Sequence, residues 1–219
     1  TELMEEGYGI VDVLFVDYQA RIPLVEEEQM LNYVLIMALE DGLSAPAAMS
    51  RIVARTKTFL TQAAAASILA FGHAFGAYSA FGNRLEKYLR RADKQGLTTA
   101  QAAELLVKEN LNDEALGVSN LMLKDPAAKR MFARAEKLGV AGKYIAFTKE
   151  IVAAARKQSP APVDRDMLGA ICATMMDLGF LDEVRTLRAS GRVLSRTAAQ
   201  ALGYRELSEH LAGGLPIDE

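Results

Sequence analysis

The stretch Ala63–Leu89, AAAASILAFGHAFGAYSAFGNRLEKYL, decides how the rest of the chain is read. It begins as an apolar run at helical spacing and passes a small-residue turn containing Gly72, His73 and Gly76. It resumes near Ala77 as an amphipathic helix ending among Arg84, Lys87, Arg90 and Arg91. Histidine titrates near neutral pH without help from its surroundings, and glycines let a backbone approach a ligand closely, so His73 is a candidate acid–base group. The same Gly-x-x-x-Gly pattern among alanines also serves close helix packing, and residue types alone leave the two readings level. Because the run is apolar on nearly every face until Arg84, it is expected in the core.

Around this stretch the composition points one way. With 219 residues and 51% hydrophobic side chains the chain can bury a sizeable core. Aromatics are only 7%, Trp is absent, and Ala, Leu and Met are abundant, which suits close-packed helices better than sheets. An all-α fold with negligible sheet follows. The net charge of −3 and the lack of a long basic run give no electrostatic footprint for nucleic acid. The single cysteine, Cys172, rules out an internal disulfide framework and a Cys-based zinc site, and makes a reduced, cytoplasmic setting the expectation. No apolar run reaches the roughly 18–20 residues of a membrane span, and the acidic start does not read as a signal peptide.

Outward from the central stretch, Glu2–Tyr18 mixes apolar and acidic residues with Gly7 and Gly9 and reads as an arm rather than a helix of its own. After Pro23, VEEEQMLNYVLIMALE places acids in a first turn and apolar residues at helical spacing. Asp41-Gly42-Leu43-Ser44 stops that helix, and Ser44 with Pro46 opens another toward Thr56. A further helix over about Thr58–Phe71 leads into the glycine turn. On the other side, Thr98 or Thr99 caps a helix ending near Asn110, Leu111–Asp125 is loop-like, and Pro126 opens a helix closed by Gly139. Lys143–Lys157 is helical, the prolines at 160 and 162 mark a break, and Asp166–Leu178 is an apolar helix expected to be buried on all sides. Residues 158–164 are thus the best candidate for a domain boundary.

Three passages in order resemble the citrate synthase and citryl-CoA lyase family. ALEDGLSAPAAMSRIVART with AAAASILAFGHAFGAYSAF is similar to that family's Asp-His-Gly-Leu-Ser helix start and later Gly-Pro-Leu-His-Gly-Gly turn. GVSNLMLKDPAAKRMFARAEKLG resembles its Gly-His-Pro-Leu-Tyr-Lys-x-Asp-Pro-Arg-Ala segment. LGAICATMMDLGFLDE, with GRVLSRTAAQAL behind it, resembles the helix carrying Asp-Leu-Gly-Phe-Pro. The resemblance implies a nearly all-α homodimer with a large helical domain, residues 1–92 and 165–219, and a small one, residues 93–164, and a cleft holding a CoA thioester, so that coenzyme A enters as substrate.

The carried-over positions differ from the family's. Its turn histidine falls on Phe75, with His73 two residues earlier, and its second histidine falls on Val118. Its carboxylate-binding arginine falls on Ala127, its Asp-His pair on Glu40 and Asp41, and its catalytic aspartate on Leu168. Loss of the bidentate arginine disfavours oxaloacetate or citrate. The resemblance therefore implies a divergent enzyme, a lyase or transferase acting on an acyl-CoA or related carboxylic acid, without nucleic acid, membrane or metal. His73 would be its acid–base group, with Asp41 or Asp166 orienting it. Phe75, Tyr78 and Val118 would line an acyl pocket, and Lys124 and Arg192 would bind phosphate or carboxylate, unless they merely face solvent. The alternative is a catalytically silent binding or partner subunit on the same scaffold.

Overall fold

Pro126 and Gly139 illustrate how local chemistry sets this architecture. Proline opens a helix over Pro126–Leu138, and Gly139 closes it at a φ of +74°, a left-handed conformation that glycine adopts without steric cost. The computed structural model describes residues 2–39, 45–70, 73–110, 118–120, 126–158, 163–165 and 167–180, with the backbone alone at 4, 73–80, 118–120, 126, 163–165 and 168. In chain order its helices are α1 (Glu2–Glu5), α2 (Ile10–Gln19), α3 (Val25–Leu39), α4 (Ala45–Arg55), α5 (Leu60–Leu69), α6 (His73–Gln95) and α7 (Thr99–Glu109). They continue with α8 (Pro126–Leu138), α9 (Lys143–Gln158) and α10 (Met167–Asp177). Two three-residue strands, β1 (Val118–Asn120) and β2 (Val163–Arg165), pair antiparallel with Val118 opposite Arg165. The fold is all-α, as the composition requires.

One core joins α2, α3 and α6–α10. Phe81, Leu85, Tyr88 and Ala92 recur every three or four residues on α6 and are all buried. Ala102, Ala103, Leu106 and Val107 do the same on α7. α9 is the central helix, burying Tyr144, Ile145, Phe147, Thr148, Ile151 and Val152 against α7 and α10. α10 exposes none of its described side chains. It crosses α6 so closely that a Cβ on Gly82 would meet Cys172 Sγ at 3.2 Å and Met176 Sδ at 3.4 Å. Thr98 caps α7 in a reciprocal box, its Oγ1 accepting from Gln101 N–H at 3.2 Å while its own N–H donates to Gln101 Oε1 at 2.9 Å.

Three expectations need correction. The N-terminal stretch is not an arm without a helix: Gly9 N–H donates to Asp12 Oδ2 at 2.8 Å, and the α2 that follows buries Phe15 edge-on to Phe180 at 6.0 Å. Gly9 starts a helix instead of breaking one. His73 and Gly76 belong to the first turns of α6, not to a turn ahead of it. Finally, the described side chains of Ala63–Leu89 are not core throughout: Phe81, Leu85 and Tyr88 join the core, whereas α5 packs on α4, burying Ala63 and leaving Ile68 and Leu69 exposed.

Candidate functional site

Two helices meet at one carboxylate. Asp177, the last residue of α10, reaches the N-terminus of α9, where its Oδ2 accepts from Gly142 N–H at 2.8 Å and Ile145 N–H at 2.9 Å. Its Oδ1 accepts from Tyr144 N–H at 3.0 Å. The first N–H groups of a helix lack intrahelical partners and carry the positive end of its dipole, so a carboxylate from another element satisfies both. Gly142 makes room for it: a Cβ there would lie 2.6 Å from Asp177 Oδ1. Burial pushes the Asp177 carboxyl above its usual range, while the three N–H donors and Lys143 pull the other way. With both oxygens engaged by the helix, Asp177 is a clamp and not a free base.

The same helix start carries a second connection. Tyr144 Oη donates to Glu86 Oε2 at 2.6 Å, and Glu86 Oε1 accepts from Arg90 Nε at 2.6 Å, tying α9 to α6. Beside it, Tyr88 Oη donates to Glu109, which Arg91 Nη1 also meets at 2.9 and 3.0 Å, while Asn110 Nδ2 donates to Tyr88 Oη at 3.1 Å. The Tyr88 hydroxyl, then Arg91, holds the Glu109 carboxyl below its usual range, and burial followed by Glu109 pushes Tyr88 up. Among the described residues no three His, Cys, Asp or Glu side chains gather as a metal site.

The residues singled out in the sequence fall largely elsewhere. Asp41, Lys124, Asp166 and Arg192 lie outside the described residues. For His73, Phe75 and Tyr78 the backbone lies in the first two turns of α6, and Val118 opens β1. The strand pairing sets Val118 opposite Arg165. Asp177, Gly142, Tyr144 and Glu86 were not foreseen. Their signals were a glycine just ahead of a helix and an aspartate ending another, neither of which is specific.

A sequence model described as IPP transferase matches residues 150–219. A tRNA dimethylallyltransferase of Opitutus terrae is 34% identical over 143 residues, covering 58% of this chain and 43% of that protein. Those of Syntrophobacter fumaroxidans and a Caulobacter species are 49% identical over 45 residues and 43% over 54, covering 20% and 25% of this chain and 13% and 18% of theirs. The chain thus spans less than half the length of these curated relatives. A structure of citryl-CoA lyase from Hydrogenobacter thermophilus superposes with a TM-score of 0.65, at 21% identity, over 100% of this chain and 82% of that one.

These findings overturn the expected activity and partners. A lyase or transferase of acyl-CoA, or a silent partner subunit in its place, gives way to relatives that are tRNA dimethylallyltransferases, and the exclusion of nucleic acid falls with it. The structural likeness, at 21% identity, concerns the scaffold alone. The physical reason for the error about nucleic acid is averaging. Residues 1–41 hold ten acidic side chains against Arg21, a charge of −9, so an overall −3 leaves +6 on residues 42–219. No helix among the described residues is long and apolar enough to cross a membrane. The chain has a citrate synthase-like all-α fold, and over residues 150–219 it is similar in sequence to the IPP transferases.

Proposed function

We propose that this chain acts in the prenylation of tRNA, with residues 150–219 as the part that engages the RNA. The observation that carries the reading is the IPP transferase match over that segment, which takes in most of α9, β2 and α10 and everything after them. The sequence supports it with charge. Arg185, Arg188, Arg192 and Arg196 follow one another at steps of three and four residues, with Arg205 beyond. Arginine presents a planar fork of donors that suits phosphate oxygens, and clustered arginines make binding depend on counterion release. Arg192 thereby serves an RNA phosphate. The Asp177 clamp holds the end of α10 against α9. The scaffold that carries it is a divergent relative of citrate synthase and citryl-CoA lyase, with Phe75 and Val118 at the family's histidine positions. The setting is cytoplasmic, where tRNA is processed.

The test is filter binding of an unmodified tRNA transcript to the full chain across a salt series. Binding is expected with a clear negative slope of log affinity on log salt. Arg188→Ala, Arg192→Ala and Arg196→Ala together are expected to flatten that slope by roughly 2 to 3 units. Affinity no better than that of duplex DNA of the same length, or a slope unchanged in the triple variant, contradicts the proposal.

A further inference from the structure

One helix pair of this chain is apolar on its outside. Every Met, Ile, Leu and Phe of residues 45–69 is exposed: Met49, Ile52, Phe59, Leu60, Ile68 and Leu69, with Leu60 and Leu69 each at 85%. Apolar side chains scattered singly over a surface need no account, but a helix pair that exposes all its large ones does. α4 and α5 pack chiefly on each other, and no described residue between 38 and 80 belongs to the central core. Ala63 is buried within the pair. At about 100° per residue, the exposed Leu60, Ala64, Ala65, Ile68 and Leu69 share the side of α5 that faces away from Ala63.

Charge surrounds this surface in one sense. Residues 42–85 contain no Asp or Glu, and residues 58–83 contain no Lys or Arg either. The cations that border the apolar run are Arg55, which ends α4, and Lys57 in the turn; both are exposed, and Phe59 and Leu60 follow within three residues. That turn has a defined shape, with Thr56 Oγ1 donating to Val53 O at 2.7 Å and Lys57 at a φ of +59°. The chain's acids concentrate elsewhere, in α1–α3, where Glu2, Glu5, Glu6, Asp17 and Glu26 are exposed.

We propose that the α4–α5 hairpin docks on an anionic lipid bilayer, lying in its interface without crossing it. Phe59, Leu60, Ile68 and Leu69 enter the boundary between headgroups and acyl chains, while Arg55 and Lys57 stay at the level of the lipid phosphates. The same surface potential holds the acidic α1–α3 away, so charge gives the chain a single orientation on the membrane. Ile10, Leu24 and Leu39 are exposed too, but they sit among those acids, which an anionic surface repels. Two other occupants fit less well. RNA would meet Arg55 and Lys57 but leave the leucines in water. A protein interface carries about one hydrogen bond per 100–200 Å², and Thr61 and Gln62 are the only exposed polar side chains of α5, whereas a fluid bilayer asks for no such register. The inference stands apart from the proposed function, and either can fail without the other.

Co-sedimentation of the full chain with phosphatidylcholine vesicles, with and without phosphatidylserine, tests it. The chain is expected to pellet with the phosphatidylserine vesicles, less so as salt rises, and to stay in solution with phosphatidylcholine alone. Arg55→Gln with Lys57→Gln is expected to weaken binding by about 30-fold. Phe59→Ala with Leu60→Ala should weaken it by at least about 10-fold, with helical circular dichroism unchanged because both side chains are exposed. The chain has no Trp, so Leu60→Trp and, in a separate chain, Ile10→Trp each introduce a single fluorescent reporter. Phosphatidylserine vesicles should shift the emission of the first to the blue and leave that of the second as in buffer. No pelleting, equal pelleting with both vesicle types, or a shift at Ile10→Trp as large as that at Leu60→Trp overturns the proposal. So does a blue shift of Leu60→Trp that grows with protein concentration before vesicles are added, which would assign the hairpin to a protein contact. Loss of tRNA binding in the Arg55→Gln, Lys57→Gln chain with vesicle binding unchanged overturns it as well, and would assign the hairpin to RNA.

Discussion

α5 and α10 are equally apolar helices with opposite fates. LTQAAAASIL on α5 and MLGAICATMMD on α10 contain no basic residue, and only Asp177 at the end of α10 is charged. Yet α10 packs on α6, α8 and α9, while α5 packs chiefly on α4. The difference lies in the neighbours' surfaces. α6 offers Gly82 at the crossing, and α9 offers an uncapped N-terminus that Asp177 fills, so α10 is fixed by fit and by hydrogen bonds together. Composition sets how much a helix gains by leaving water, but not which surface will cover it.

If that account is right, truncation should cost far more in one region than in the other. Phe147→Ala on α9 removes a fully buried ring and is expected to destabilise the fold by about 3–5 kcal/mol in urea unfolding. Phe59→Ala on the hairpin should stay within about 0.5 kcal/mol. Equal costs would erase the contrast.

The clamp sharpens it. Asp177→Ala strands three N–H groups at the α9 N-terminus and is expected to cost roughly 2–3 kcal/mol, with Asp177→Asn keeping part of the loss back. The pH dependence has a definite sign. A carboxyl raised in the folded state binds its proton more tightly there than when unfolded, so its contribution to stability falls as pH rises through the carboxylate range. In Asp177→Asn that component should vanish from the unfolding profile. A clamp variant that unfolds like wild type would mean that packing alone fixes α10.

The smallest effect is expected at Glu109. Its carboxyl is lowered by Tyr88 and Arg91, so its contribution is present above the unfolded carboxylate range and lost as pH falls through the folded one. Glu109 and Arg91 are both more than a third exposed, and solvent screening limits the pair to under about 1 kcal/mol. Tyr88→Phe should abolish part of that acid limb while leaving the core packed.

Much of the body was legible because its signals are local. Thr98 with Gln101 three residues on, Pro126 and Gly139 at the two ends of α8, and the acids of Glu26–Glu28 at the start of α3 all mark helix ends by chemistry within one turn. α2 escaped because Gly9 was read as a breaker, when with Asp12 it forms a helix start. The exposure of α5 escaped because an alanine-rich helix reads alike whether its own chain or another covers it. The candidate site was hardly legible. The Asp177 clamp joins residues 32 to 35 positions apart, and no periodicity reports such a pairing. The RNA reading was hidden by a net charge that sums an acidic start with a basic remainder.

Ultraviolet cross-linking of a tRNA transcript to the full chain, followed by peptide mapping, addresses the central claim most directly. The expected result is cross-linked peptides concentrated in residues 150–219, lost in the Arg188→Ala, Arg192→Ala, Arg196→Ala chain. Cross-links confined to residues 1–149, or none at a salt concentration where the Opitutus terrae enzyme binds the same transcript, would contradict it.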